Sequence, residues 1–221
     1  MIQVKAHGGL FGQFLMIAAV FKLQRGVDAR YEETPMFQVR IHGRGGQGVV
    51  TAAELMSVAA FLEGKHAQAF PSFGSERMGA PIVSFCRLDD KEIRLREPVS
   101  APDAVIIQDP TLLHSIDVFQ GLKEDGYILI NTARTIDELG IADFAGKFPP
   151  HHVCDVGATE LAMKHIKRAL PNAALLAGFA AISKQLRLIS IEQAIRRRFS
   201  GAIGEANVAA AREAYKIAAA A

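Results

Sequence analysis

Apolar and polar residues alternate through Phe37-Gln38-Val39-Arg40-Ile41, the period-two pattern of a strand with two unlike faces. Gly43-Arg44-Gly45-Gly46-Gln47-Gly48 follows at once, and the stretch from there to Leu62, rich in Ala, Leu and Met, predicts a helix over 48–62. Further strands are predicted at 66–70, 104–108, 127–131 and 152–156. Val105-Ile106-Ile107 and Ile128-Leu129-Ile130 are unbroken apolar runs, as in strands covered on both faces. Helices are predicted at 111–122 and 158–170, and Gly126 closes the helix ahead of Tyr127. Ile82–Leu88 and Glu92–Arg96 alternate about Asp89-Asp90-Lys91, which predicts a β-hairpin set into the series. From Thr159 onward the pattern is almost wholly helical. Asn172–Ile182 reads as a core helix, and Ser190-x-x-Gln193 as a capping box opening the helix that carries Arg196–Arg198 on a solvated face. The sum is an α/β fold: a mostly parallel sheet flanked by helices, with an inserted β-hairpin and a helical C-terminal region.

Residues 1–35 read differently from 36–221. Leu10–Phe21 is apolar except for Gly12 and Gln13, and at 12 residues it is too short to span a bilayer. It is followed by Lys22, Gln24 and Arg25 rather than by a small-x-small cleavage site, so a secretory signal is not the expected reading. Two readings stay open: an extra helix packed on the domain or a partner, or an extension ahead of a natural start at Met36. Thr34-Pro35 marks the boundary, because proline disfavours helix in the residue before it.

Composition narrows the function classes. Half of the 221 residues are hydrophobic, enough for a sizeable core, and a formal charge of +2 gives no reason to expect nucleic-acid binding. Cys86 and Cys154 stand far apart and no CxxC occurs, which excludes an iron–sulfur cluster or structural zinc held by this chain alone. Two apolar-flanked thiols suit a reducing cytoplasm and read as core residues. The His151-His152 pair makes a poor metal site, since neighbours on a strand face opposite ways. No catalytic residue and no metal ligand is assigned to the chain.

Strand, glycine turn and helix start in succession make an anion cradle, because free N–H groups and the helix dipole favour negative charge there. Gly43-x-Gly45-x-x-Gly48 fits the dinucleotide spacing, but the second half of that fingerprint is missing. The next strand ends in Phe70-Pro71, and the nearest acid, Glu63, precedes it. Nor does the loop carry the Gly-Lys-Ser/Thr of a P-loop. Two readings stand side by side: a tight turn for packing, and a loop that meets an anion or a partner, to which Arg44 and Gln47 add side-chain donors. The segment Pro71-Ser72-Phe73-Gly74-Ser75-Glu76-Arg77-Met78-Gly79-Ala80-Pro81 leaves the carboxyl end of the second strand, so both loops are expected on the same sheet edge. Arg77 offers a cation there, or pairs internally with Glu76 or another acid.

Ile41–Val50 and Phe70–Pro81 together resemble the two signatures of the gamma subunit, or gamma domain, of 2-oxoacid:ferredoxin oxidoreductases. Asp109-Pro110-Thr111-Leu112-Leu113, Asn172–Ala181 and Glu205–Tyr215 resemble later stretches of that family, and the match runs from Met36 to about Ala218. The resemblance implies a subunit inactive by itself. It implies oxidative decarboxylation of a 2-oxoacid on thiamine diphosphate and Mg in alpha- and beta-type partners. Electrons would leave through [4Fe-4S] clusters in beta- or delta-type partners to ferredoxin or a similar acceptor, and coenzyme A would accept the acyl group. The cofactor-binding residues expected from the position and chemistry of the two loops are Gly43, Arg44, Gly45, Gly46, Gln47, Gly48, Ser72, Ser75, Glu76, Arg77 and Gly79. A cytoplasmic location without membrane or nucleic-acid contact follows. A stand-alone nucleotide-binding oxidoreductase or regulatory module is the alternative, and a purely structural interaction domain a third.

Overall fold

In the computed structural model, which describes residues 35–72 and 78–221, the alternating segments join a six-stranded sheet of order β2-β3-β1-β4-β5-β6. The strands are β1 (Phe37–Arg44), β2 (His66–Pro71), β3 (Pro81–Asp89), β4 (Ala104–Ile107), β5 (Tyr127–Asn131) and β6 (Val153–Val156). β1, β4, β5 and β6 are parallel, while β3 is antiparallel to both of its neighbours, β1 and β2. The helices are α1 (Val49–Leu62), α2 (Ala142–Ala145), α3 (Ala158–Ile166), α4 (Asn172–Ser183), α5 (Leu188–Arg198) and α6 (Gly201–Ala220). This is the α/β class expected from the sequence. The reading of residues 1–34 lies outside the described residues.

The two faces of the sheet are covered unequally. α1 and α4 lie in one large core with Val39, Ile41, Ala104, Ile106 and Leu129 of the sheet. α4 is buried along nearly its whole length, so it needs no polar face. Ala210, Ala211 and Ala214 of α6, all fully buried, let that helix approach α4 closely. The opposite face presents Val105, Ile107, Ile128 and Ile130, covered by Leu112, Val118 and Leu139 with Phe119, Phe144 and Phe148 against them. β4 and β5 are therefore buried on both faces, as their apolar runs require.

Four local expectations are corrected. The hairpin does not pair 82–88 with 92–96: β3 pairs with β2 on one side and β1 on the other. With both edges taken, β3 has no free donors for a third strand, and 92–96 is not a strand. Arg87, almost fully buried, holds the following segment instead, donating to the Glu97 carbonyl at 2.6 Å and to Gln38 and Gln68. The helix expected over 111–122 is a 3₁₀ turn, Pro110–His114. The carbonyls of Val118 and Gln120, which a longer helix would use, accept from buried Arg40. Gly126 accordingly closes a turn, donating to the Lys123 carbonyl, and not a helix. Finally, α5 begins at Leu188 with Arg187 as its N-cap and no side-chain cap, so Ser190 and Gln193 form no capping box.

Arg196 is also more than a solvated cation. Glu192, almost buried, accepts from Arg212 at 2.6 and 2.7 Å and from Arg196 at 3.3 Å, and Arg196 reaches Glu205 as well. The bonds from Arg212, then those from Arg196, overcome burial and hold the Glu192 carboxyl below the ordinary carboxylate range. A depressed folded pKa adds stability that is present above the unfolded value and lost as pH falls through the folded one. Glu192→Gln is therefore expected to cost on the order of 2 kcal/mol at neutral pH. The gap from wild type in thermal midpoint should close below the carboxylate range, which melts from pH 7 to 3 would show.

Candidate functional site

The connection after β1 runs through α1 toward β2, and the connection after β4 runs the other way toward β5. The carboxyl ends of β1 and β4 therefore flank a topological switch point, where open α/β sheets take ligands. The glycine loop leaves β1 at that point. Gly48 is the N-cap of α1 with φ 77°, and no side chain caps the helix. The first helical bond runs from Ala52 N–H to the Gly48 carbonyl, leaving the N–H groups of Val49–Thr51 without an intrahelical acceptor. Close approach is required at Gly43, where a Cβ would lie 2.6 Å from Val49 Cγ2.

The described end of the second loop, Gly79–Ala80, lies against the glycine loop. Gly45 N–H donates to the Ala80 carbonyl at 2.9 Å, and Gly79 N–H donates to the Gly45 carbonyl at 3.2 Å. Arg44 ties them to a third loop, the one after β4. Its Nε donates to Asp109 Oδ2 at 3.1 Å, Nη1 to the Gly79 carbonyl at 3.1 Å and Nη2 to Thr111 Oγ1 at 2.8 Å. Gln47 closes the knot, since its amide donates to Asp109 Oδ2 at 2.9 Å while its Oε1 accepts from Arg44 N–H at 2.8 Å. Burial pushes the Asp109 carboxyl up, but Thr111, Gln47 and Arg44 together outweigh it and hold it below the usual range. The carboxylate is thus ionised at neutral pH and neutralises Arg44.

Of the residues singled out from sequence, Gly43, Arg44, Gly45, Gly46, Gln47, Gly48 and Gly79 come together here. Ser72 stands at the end of β2, exposed, its N–H bonded to the Val83 carbonyl. Ser75, Glu76 and Arg77 lie outside the described residues. Asp109 and Thr111 join the site without having been assigned to it. Their signal was present: Asp109-Pro110-x with Thr111 two residues on is a helix N-cap, and Asp109 does accept from Thr111 N–H at 3.0 Å. Asn172 and Gln108 were also missed. Asn172 Nδ2 would sit 2.6 Å from a Cβ on Gly48, and buried Gln108 lies beneath Gly43.

The remaining candidate groups do not converge. Burial pushes the Cys86 thiol up, and burial with Asp155 nearby pushes Cys154 up to about 11, so both stay protonated core residues. His152 stacks on Tyr127, whereas the His151 ring reaches the Ala221 carbonyl. His42 is buried, and desolvation, with Arg40 near, lowers it to about 4, leaving it neutral. Among the described residues, no cluster of His, Cys, Asp and Glu could hold a metal, and no helix is long and apolar enough to cross a membrane.

The topology also separates this loop from a dinucleotide fold. There the second strand lies beside the first and brings its acid to the ribose. Here β3 intervenes, so the acid-free end of β2 stands two strand spacings, about 10 Å, from β1. Fold and site define an α/β subunit with a glycine loop locked to two neighbouring loops at the switch point. The chain belongs to the pyruvate ferredoxin/flavodoxin oxidoreductase family, whose pattern matches residues 38–217, and within it to the gamma-type subunits. It is 45% identical over 181 residues to the pyruvate/ketoisovalerate oxidoreductases common subunit gamma of Pyrococcus furiosus, covering 82% of this chain and 96% of that one. To the pyruvate synthase subunit PorC of Methanothermobacter marburgensis it is 44% identical over 181 residues, covering 82% and 97%. Among solved structures, pyruvate oxidoreductase subunit PORC from Thermotoga maritima is similar with a TM-score of 0.69 and 34% identity, over 82% of this chain and 96% of that chain.

Proposed function

We propose that this chain is the gamma subunit of a multi-subunit, thiamine-diphosphate-dependent 2-oxoacid:acceptor oxidoreductase. Alpha- and beta-type partners hold thiamine diphosphate and Mg, and beta- or delta-type partners hold the [4Fe-4S] clusters. Electrons pass to ferredoxin or a similar acceptor, and coenzyme A takes the acyl group. The enzyme works in the cytoplasm. What supports this reading is family membership together with the glycine loop: its switch-point position and unclaimed N–H groups at α1 suit a phosphate of coenzyme A. The chain's own residues orient and exclude water there; they carry no bond-making step.

Arg44 contributes by position. Each of its three guanidinium nitrogens donates one bond, to Asp109, Gly79 and Thr111, so it fixes the loop that meets the anion. In the assembled enzyme, Arg44→Ala is expected to raise the apparent KM for coenzyme A about tenfold, the equivalent of one charge-assisted hydrogen bond. The KM for the 2-oxoacid and the subunit composition should hold. Arg77→Ala, assayed alongside, reports on the second loop. Wild-type behaviour of both variants in every kinetic term makes the loops structural and ends the ligand half of this reading.

A further inference from the structure

β2 is the last strand at its end of the sheet among the described residues. Ser72 N–H donates to the Val83 carbonyl at 2.8 Å, which makes Ser72 and Val83 a hydrogen-bonded pair. Such pairs alternate in an antiparallel ladder. Phe70, Gln68 and His66 therefore turn their backbone groups to β3, and Ala67 and Ala69 turn theirs outward. Sheet edges are commonly guarded by lysines, bulges or mid-strand prolines. β2 carries no lysine, pairs with β3 in unbroken register, and has its only proline as its last residue.

A groove of about 450 Å³ opens beside the first residues of this edge. Val58, Phe61 and Ala67 give it apolar walls, while Lys65, His66 and Arg197 give it polar, basic ones, and no carboxylate lines it. Phe61, near the end of α1, is 72% exposed, while Ala59 and Ala60 beside it are fully buried. Lys65 Nζ donates to the Gln185 carbonyl at 3.2 Å, which fixes its ammonium in place.

We propose that an extended segment of a partner subunit, bearing an apolar side chain beside an acidic one, adds to the outer edge of β2 and seats those side chains in the groove. Main-chain bonds to Ala67 and Ala69 supply the pairing, and Phe61 with the basic groups supplies the selection. The basic lining is what identifies the occupant as acidic. Edge-to-edge pairing with the β2 of a second copy does not fit, because His66–Pro71 has no carboxylate to offer. The inference rests on the subunit reading above.

The test uses the full chain purified alone and in its native complex. Amide exchange at Ala67 and Ala69 is expected to slow at least about tenfold in the complex. Ala69→Pro removes an outward N–H without touching the ladder to β3, and Arg197→Glu reverses the charge of the lining. Each should weaken assembly about tenfold with the thermal midpoint of the free chain unchanged. A benzophenone side chain in place of Phe61 should crosslink to an acidic, extended stretch of a partner subunit. A chain that joins no complex defeats the subunit reading itself. A complex that forms with unchanged exchange at both alanines, or a crosslink only to a second copy, overturns the edge proposal alone.

Discussion

Gly48→Val is expected to destabilise the chain by about 3 kcal/mol or more, combining the cost of a left-handed conformation for an L-residue with overpacking. Gly48 stands at φ 77°, where a β-branched side chain is strained whatever space surrounds it. Space is short too, because a Cβ there would meet Asn172 Nδ2 at 2.6 Å. In a domain of this size the thermal midpoint should fall by about 6–12 °C. The two causes can be separated. Gly48→Ala in an Asn172→Ala background relieves the contact and leaves the backbone strain, so the double variant should recover part of the loss. Full recovery would show that φ contributes nothing, and no recovery would show that Asn172 does not crowd the turn. Because Gly48 is the N-cap of α1 and Asn172 opens α4, the same substitution is expected to shift the proposed anion cradle, and coenzyme A kinetics should suffer even where the complex still forms.

Asp109→Ala is expected to have the second largest effect, about 3 kcal/mol, from losing several charge-assisted and neutral hydrogen bonds at once. The carboxylate accepts from Arg44, from Gln47 and twice from Thr111. Its removal leaves a guanidinium, only partly exposed, without its counter-charge, and leaves the 3₁₀ turn at Pro110 uncapped. Asp109→Asn keeps the shape and one acceptor and should recover part of the stability. In wild type, the depressed Asp109 pKa confines loss of this knot to pH below the ordinary carboxylate range. Paired melts of wild type and Asp109→Ala at pH 7 and pH 3 check this. The difference should shrink at the lower pH, and a constant difference would mean that the charge plays no part.

The glycine loop was legible because strand, turn and helix start are local features, each written in adjacent residues. That the exits of β1 and β2 share an edge was legible for a related reason: the two strands point the same way even though β3 lies between them. What strand alternation cannot say is which edges are free. Glu92–Arg96 alternates as a strand should, yet β3 already has two partners and Arg87 holds the segment by the Glu97 carbonyl. The helix expected over 111–122 fails through contacts from a distant strand, because Arg40 takes the Val118 and Gln120 carbonyls. Arg44 was recognisable as a donor, but its acceptor lies 65 residues away, and no local pattern assigns it. Asp109 shows the reverse: its capping role could be read from Asp-Pro-x, while its place beside the glycine loop depends on β4 pairing with β1.

On the reading proposed above, the chain is a required but non-autonomous part of a 2-oxoacid oxidoreductase. The most direct measurement is 2-oxoacid-dependent, coenzyme A-dependent reduction of ferredoxin or a viologen dye. It would be made with the purified chain, with the partner subunits lacking it, and with the two combined in increasing ratio. No reduction is expected from the chain alone, with impaired turnover by the partners and a rise to a plateau at a fixed stoichiometry once the chain is added. Sustained reduction by the isolated chain, or full turnover by partners that lack it, would mean that the chain is not such a subunit.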